Sequence, residues 1–317
     1  MKTVTFINGD GIGNEVIPAA RRVLESLNLP VAIQEANAGF STFERMGTAL
    51  PDETLAKCAD SNAVLFGATQ SPMEKVAGYS SPILALRKHF DLYANLRPAK
   101  LNDIDMLIVR ENTEGMYSRR ERVEDNGNTA ILERVITVKA SERIVKLACE
   151  LAMQRRKQLT IVHKANVLKE TCGLFRRVAF EVAAQFPELV VQEQLVDSMA
   201  MFMVMQPQRY DVIVTTNLFG DILSDLAAGL TGGLGVAPSA NIGSGRTAVF
   251  EPVHGSAPDI AGKGIADPRA AILSLSLLLD FVGFSHEAKR VRDVTYGTEH
   301  TGTTNRTTDA IIDALSS

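Results

Sequence analysis

TVTFINGDGIGNEVIPAARRVLESL, residues 3–27, is the stretch whose reading decides the fold. Thr3–Ile7 is β-branched and apolar enough for a buried strand. The glycine-rich turn Gly9-Asp10-Gly11-Ile12-Gly13 follows, and Asn14–Leu27 then repeats Val16, Ile17, Ala20, Val23 and Leu24 on one helical side. Strand, tight turn and amphipathic helix in that order are the unit of an α/β protein. The same turn tests a dinucleotide reading. A Rossmann fingerprint needs G-x-G-x-x-G opening a helix, with an acidic residue about 20 positions on. Here the third glycine comes one residue early, Asn14 stands in its place, and Glu35 fits the acidic role poorly. A standard Rossmann site is not expected, whereas a tight turn beside a ligand is.

Working outward, residues 62–66, 104–109, 158–162, 190–196 and 212–215 read as further strands. Helical patterns over 82–89 and around 140–155 and 173–184 alternate with them, which extends the α/β reading along the chain. Glycine and proline cluster between Gly229 and Gly245, in TGGLGVAPSANIGSG, and this cluster is expected to be turns at a crossing between lobes. At 317 residues the chain is long enough for two domains, and 45% hydrophobic content supports a large core without disulfides. A net charge of -4 and a pI near 5.8 argue against nucleic acid as a partner. The run Arg119–Arg122 is diluted by Glu121, Glu124 and Asp125 and is expected to be a solvated surface arm. No signal-peptide or membrane-spanning stretch is read, and Cys58, Cys149 and Cys172 lack disulfide or zinc spacing. These features suit a reducing cytoplasm.

Several side chains invite chemistry. Asp221 and Asp225 lie four apart in NLFGDILSDLAAGL, so a helix presents both carboxylates on one face. Carboxylate oxygens suit Mg²⁺ or Mn²⁺, and Asp197 in LVDSM is a candidate third ligand. An isolated D-x-x-x-D is more often a pair of surface acids, so spacing alone leaves both readings open. Arg87, Arg97 and Arg110 recur at strand and helix ends, where a planar guanidinium can grip a di- or tricarboxylate; each taken singly is equally a surface ion pair. Tyr117 and Lys164 suit proton transfer, although most tyrosines and lysines do no such work. His254 precedes a glycine in a polar loop, while His89, His163, His286 and His300 read as structural or surface residues.

Taken in order, GDGIGNEVIPAA, ALRKHFDLYANLRP, VRENTEGMY, HKANVLK, NLFGDILSDLAAGLTGGLG and EPVHGSAPDIAGKGIADP resemble the β-decarboxylating dehydrogenases over nearly the whole chain. That family comprises isocitrate, 3-isopropylmalate, homoisocitrate and tartrate/D-malate dehydrogenases. The resemblance implies a two-domain isopropylmalate/isocitrate dehydrogenase-like α/β fold with a shared mixed sheet. It places a cofactor-side domain at 1–96 plus 240–317 and a substrate, metal and dimerisation domain at 97–239. It implies that Arg87, Arg97 and Arg110, with Ser81 and Asn166, bind a malate-type substrate. Tyr117 becomes the general acid and Lys164 the base or proton relay. Asp221 and Asp225 become ligands of Mg²⁺ or Mn²⁺, joined by Asp197. Family enzymes are dimers in which the lysine and the Asp197 equivalent come from the neighbouring subunit, so a homodimer with shared sites is implied.

The resemblance also assigns Thr69, His254, Gly255, Ala257, Asp259 and Asp267 to the cofactor, held between the HGSAPD loop and the N-terminal turn. Aspartate at position 259 implies NAD, because a carboxylate accepts from ribose hydroxyls and repels a 2′-phosphate. In the specificity segment Gly78–Arg87, serine at 81 matches isocitrate enzymes, whereas Ile83 departs from their asparagine. The apolar pair Ile83 and Leu84 suits an isopropyl group, yet the longer stretch KVAGYSSPILALR looks most like fungal homoisocitrate dehydrogenases. Homoisocitrate leads, ahead of 3-isopropylmalate and isocitrate, with D-malate and tartrate further behind. Two departures are visible: Asp267 replaces the family's asparagine, and the C-terminal stretch VTYGTEHTGTTNRTTDAI is shortened. A non-catalytic regulatory subunit is the rival reading; it is disfavoured because every catalytic and metal-binding side chain is in place.

Overall fold

The computed structural model describes residues 1–74 and 76–316; Lys75, which opens the stretch KVAGYSSPILALR, lies outside them, as does Ser317. The elements in chain order begin with β1 (Lys2–Ile7), α1 (Gly13–Ser26), β2 (Val31–Ala36), α2 (Phe40–Met46), α3 (Asp52–Asp60), β3 (Ala63–Phe66) and α4 (Pro82–His89). Next come β4 (Ala94–Leu101), β5 (Ile104–Glu111), β6 (Glu121–Glu124), β7 (Thr129–Leu132), α5 (Val138–Met153), β8 (Gln158–His163) and α6 (Thr171–Ala183). They are followed by β9 (Val190–Leu195), α7 (Val196–Met205), β10 (Val212–Thr215), α8 (Asn217–Leu230), β11 (Pro238–Ile242) and β12 (Val249–Pro252). The chain closes with α9 (Arg269–Phe281), α10 (Ser285–Gly297) and α11 (Thr304–Ser316).

The chain divides into two compact units, Met1–Leu92 with Gly232–Ser317, and Tyr93–Thr231. The division falls a few residues from the sequence-based bounds of 97 and 239 for a physical reason. β4 pairs antiparallel with β5 from Ala94 to Leu101, so that hairpin belongs wholly to the second unit. At the other end α8 stops at Leu230, and Gly232 and Gly233 take positive φ. The glycine–proline cluster is not all turns: it contains β11, which pairs antiparallel with β12 from Pro238 to Asn241. Sequence punctuation hid this strand because Pro238 stands at its first position, where no ladder donor is required.

In the first unit β1 runs parallel to β2 and to β3, and β12 runs parallel to β3. Ile7, Val64, Phe66 and Val249 join Leu86 of α4 and Cys58 of α3 in one buried cluster. Alternation sends Leu65 and Phe250 to the opposite face, where Phe250 packs on Phe281 of α9 with ring centroids 5.6 Å apart. That explains why α9 is apolar nearly all round: it is a buried layer, not a membrane span. In the second unit β5, β10, β8 and β9 are parallel neighbours in that order. Met106, Ile108, Val162 and Ile213 pack there against Met199 and Met203 of α7 and Leu223 and Ala227 of α8. The hairpin β6–β7 is exposed on β6, as the surface-arm reading expected. All three cysteines are buried and free, and burial pushes the Cys58 and Cys149 thiols up to about 12.

The glycine-rich turn after β1 owes its shape to close approach. A Cβ on Gly11 would collide with the Ser256 carbonyl, and Gly11 also has positive φ. Asp10 within that turn is buried and accepts from the Phe40 N–H at 2.7 Å, the Ser41 N–H at 2.9 Å and the Gln70 N–H at 2.9 Å. It therefore caps α2 from a distance, where the helix's own N-cap residue is Gly39 with no side chain. Asp10→Ala is expected to cost about 1–3 kcal/mol, because it orphans several amide donors at once. Urea denaturation reads this as a lower midpoint at constant slope; an unchanged midpoint would mean that water serves those donors equally well.

Candidate active site

β5 ends in Arg110-Glu111, and α8 starts two residues after β10, its parallel neighbour. This brings α8 across Arg110. The Arg110 side chain is only 2% exposed, so its charge must be matched inside the protein. Asn217, the first residue of α8, accepts from Arg110 Nε at 3.0 Å and Nη2 at 2.8 Å. Asp221, one turn on, takes Arg110 Nη1 in a short contact. Tyr117 donates its hydroxyl to Asp221 Oδ2 at 2.5 Å, and the Arg110 guanidinium lies 5.1 Å from the Tyr117 ring centroid. Arg97 of β4 completes the set: Nη2 is 3.3 Å from Asp221, and Nη1 donates to Ser224 Oγ at 2.7 Å and lies 3.2 Å from Asp225. Asn95 holds Arg97 Nε at 2.6 Å.

Five sequence-predicted residues, Arg97, Arg110, Tyr117, Asp221 and Asp225, thus form one cluster. Leu223, Leu226 and Ala227 flank the two aspartates and would make a bare carboxylate pair costly; Arg97 and Arg110 offset part of that cost. Burial, reinforced by the Asp221 carboxylate, pushes the Tyr117 hydroxyl above its usual range, so it holds its proton at neutral pH. Burial also raises the Asp225 carboxyl, opposed by Arg97 and aided by Asp221. Sequence reasoning missed Asn217, Gly220, Ser224 and Asn95. The first three were legible: Asn217, Gly220, Asp221, Ser224 and Asp225 follow helical spacing along the face that meets Arg110 and Arg97. Gly220 is required because a Cβ there would lie 2.6 Å from Arg110 Cγ.

Lys164 and Asp197 form a separate pair. Lys164 follows β8 and Asp197 opens α7 just after β9, the parallel neighbour, so adjacent strand ends deliver them together. Lys164 Nζ donates to Asp197 Oδ1 at 2.5 Å, which holds the Asp197 carboxyl below its usual range. Among the described residues no bond joins this pair to the Asp221 cluster, and no group of three or more His, Cys, Asp or Glu side chains is arranged to hold a metal. One chain therefore offers a two-carboxylate donor set at Asp221 and Asp225, hard oxygens that suit Mg²⁺ or Mn²⁺ with other ligands completing the shell. Asn166 is exposed in the turn after Lys164.

The other assigned residues belong to the first unit. Arg87, buried on α4, donates to Glu251 Oε1 at 2.9 Å, and its Nε is buried without a hydrogen-bond partner. Ser81 occupies the N-cap position of α4 and makes no capping hydrogen bond. Ile83 packs onto the cluster beneath α4, whereas Leu84 is half-buried outside it. Tyr79 anchors this segment through its hydroxyl to the Gln70 carbonyl at 2.7 Å and edge-on packing against Phe40 and Phe43. Thr69 is half-buried in the loop after β3. Glu35 pairs with Arg21 on the surface, in keeping with its poor fit to a ribose role.

The loop after β12 carries the remaining set. Ser256 accepts from the Ile12 N–H at 2.9 Å, and Glu15 accepts from the Gly262 N–H at 2.6 Å, so the N-terminal turn and the HGSAPD loop lie against each other. Ala257 takes positive φ, Gly255 is open to solvent and Asp259 is exposed. Burial lowers the His254 pKa, and its Nε2 is buried without a partner, a polar atom suited to a bound ligand. Asp267 is engaged by Arg269, whose Nη2 lies at 2.7 Å and whose N–H donates at 3.0 Å. The aspartate that departs from the family's asparagine is thus neutralised locally. The shortened C-terminal stretch still closes on this loop: Thr304 donates its N–H to Gly264 at 2.9 Å and its hydroxyl to Ala266 at 2.6 Å.

Comparison with known proteins identifies the family and the fold. The family model for isocitrate/isopropylmalate dehydrogenase matches residues 3–314. An isocitrate/homoisocitrate dehydrogenase of Thermus thermophilus is 54% identical, covering 99% of this chain and 98% of the relative. A 3-isopropylmalate dehydrogenase of Archaeoglobus fulgidus is 51% identical, covering 92% of this chain and 90% of the relative. The crystal structure of isocitrate dehydrogenase from Methylococcus capsulatus superposes with a TM-score of 0.94 at 41% identity, covering 100% of both chains. The chain belongs to the isocitrate/isopropylmalate dehydrogenase family of decarboxylating dehydrogenases.

Proposed function

We propose that this enzyme oxidises the 2-hydroxyl of homoisocitrate with NAD⁺ and releases the β-carboxylate as CO₂, giving 2-oxoadipate. The observation that carries the reaction class is the cluster of Arg97, Arg110, Tyr117, Asp221 and Asp225. A divalent ion held by Asp221 and Asp225 would supply electrophilic stabilisation of the developing oxygen charge. Arg97 and Arg110 orient substrate carboxylates, and each already lies beside an aspartate, so a bound anion meets a balanced field. Lys164 takes the hydroxyl proton, and a bound NAD⁺ would supply the hydride acceptor. When the bond to CO₂ breaks, its electron pair is protonated at carbon by the Tyr117 hydroxyl, which its surroundings keep protonated.

The family uses NAD(P) in general. NAD is favoured here because Asp259 would repel a 2′-phosphate, and His254 Nε2 offers an unspent polar atom on the same loop. For the substrate, Ser81 has a hydroxyl not used in capping α4, which suits a distal carboxylate. Ile83 is partly spent on the core, which weakens the isopropyl reading. Isocitrate is the second reading, supported by the double name of the Thermus thermophilus relative. A homodimer would let Lys164 and Asp197 of one copy complete the cluster of the other. Its support is the apolar, exposed side of α7 and α8, with Met201, Val204, Met205 and Ile222.

Steady-state kcat/KM for homoisocitrate, isocitrate, 3-isopropylmalate, D-malate and tartrate with NAD⁺ and NADP⁺ tests this directly. Homoisocitrate with NAD⁺ is expected to rank first; a higher value for 3-isopropylmalate would remove the substrate assignment. Asp221→Asn is expected to lower kcat by more than about 100-fold while the dimer persists in sedimentation. Activity near wild type would take Asp221 out of the site. Gly220→Ala should act through geometry alone, because the added methyl displaces Arg110. We expect about 10- to 100-fold lower kcat/KM; a wild-type value would show that Arg110 need not hold this position.

A further inference from the structure

We propose that His163 is a positioning residue for Lys164: its imidazole, held between Glu193 and the Ala165 amide, fixes the turn that presents the lysine. This rests on the reading of Lys164 as the proton-transfer lysine. His163 is the last residue of β8 and is buried. Its Nε2 lies 2.9 Å from Glu193 Oε2 on the neighbouring strand β9. Its Nδ1 faces the Ala165 N–H at 3.2 Å. An amide can only donate, so Nδ1 carries the lone pair and Nε2 carries the proton that goes to Glu193.

Glu193 is itself fixed. Arg176 of α6 grips both of its oxygens, at 2.8 Å for Nη2 to Oε1 and in a short contact from Nε to Oε2. Arg176 foremost, with His163 adding, draws the Glu193 carboxyl down to about 2, so it is an anion at any working pH. The chain of contacts therefore runs from α6 through β9 to the first amide after Lys164. Beyond that point the turn has little packing of its own. Asn166 and Val167 are exposed, and the turn is closed by the Lys164 carbonyl accepting from Val167 at 3.1 Å and Leu168 at 2.8 Å. Both polar groups of the peptide that joins Lys164 to Ala165 are therefore held, and the imidazole holds its N–H. Misplacement of a catalytic group by about 1 Å costs on the order of 100-fold in rate.

The test compares His163→Ala, His163→Asn and Lys164→Ala, each as the full-length folded enzyme with the best substrate of the panel. Asparagine restores an acceptor for the Ala165 N–H but cannot reach Glu193. His163→Ala is expected to lower kcat about 10- to 100-fold with KM values within about twofold, and His163→Asn to recover most of that loss. A merely structural histidine would move thermal stability in both variants and leave kcat per folded enzyme unchanged. Wild-type kcat in His163→Ala, or no recovery in His163→Asn, overturns the proposal. If His163→Ala does not fold, Glu193→Ala releases the imidazole from the other side, and unchanged kcat there overturns it equally. Lys164→Ala separates the two failures. An active Lys164→Ala removes the proton-transfer reading and the positioning role with it, whereas an inactive one beside a fully active His163→Ala removes only the positioning.

Discussion

The guanidinium of Arg110 is the interaction on which the site depends. It sits at the end of a central strand with almost no access to water, so an unmatched charge there would destabilise the fold by several kcal/mol, about 3–5 by analogy with broken buried pairs. Asn217 and Asp221 supply the match, and both come from the first turns of α8. Satisfying Arg110 therefore sets where α8 lies along β5, and Gly220 permits the approach. Asp225, Ser224 and the Tyr117 hydroxyl fall into place as consequences. A stability requirement and a chemical arrangement are met by the same contacts.

Position at strand ends is the second regularity. In the second unit Arg110, Lys164, Asp197 and Asn217 stand at or just beyond the carboxyl ends of β5, β8, β9 and β10, which are mutually parallel. In the first unit the Gly9–Gly13 turn, Thr69 and His254 follow β1, β3 and β12, again parallel neighbours. Parallel strands send all their carboxyl ends to one edge, where loops are free of ladder bonds and can carry chemistry. Asp10 is the structural counterpart, a buried carboxylate that ties the first turn, α2 and the loop after β3 into one support.

Much of this was legible in the chain. Apolar runs and helical spacing located β1, β3, β5, β8, β9, β10 and the helices α1, α4, α5, α6 and α8 to within a few residues. What escaped included β2, β4, β12 and the helices α2, α3, α7, α9, α10 and α11, along with β11, masked by glycine and proline, and the exposed β6–β7 hairpin, whose pairing leaves no apolar signature. Motif order also indicated candidate residues for the site, but not their partners: Asn95 and Glu193 carry no local signal of the side chains they hold. Their roles arise from register between strands far apart in sequence.

The sequence by itself determined the α/β class, the candidate residues and the helix face bearing Asp221 and Asp225, because periodicity and local turn chemistry are short-range properties. Only the tertiary structure decided which charges meet. It brought Arg97 and Arg110 onto that helix face, bonded Lys164 to Asp197 apart from it, and neutralised Asp267 with Arg269. It also turned Ile83 toward the core. These outcomes follow from burial, which forces each charged or apolar group to find a partner that spacing along the chain does not name.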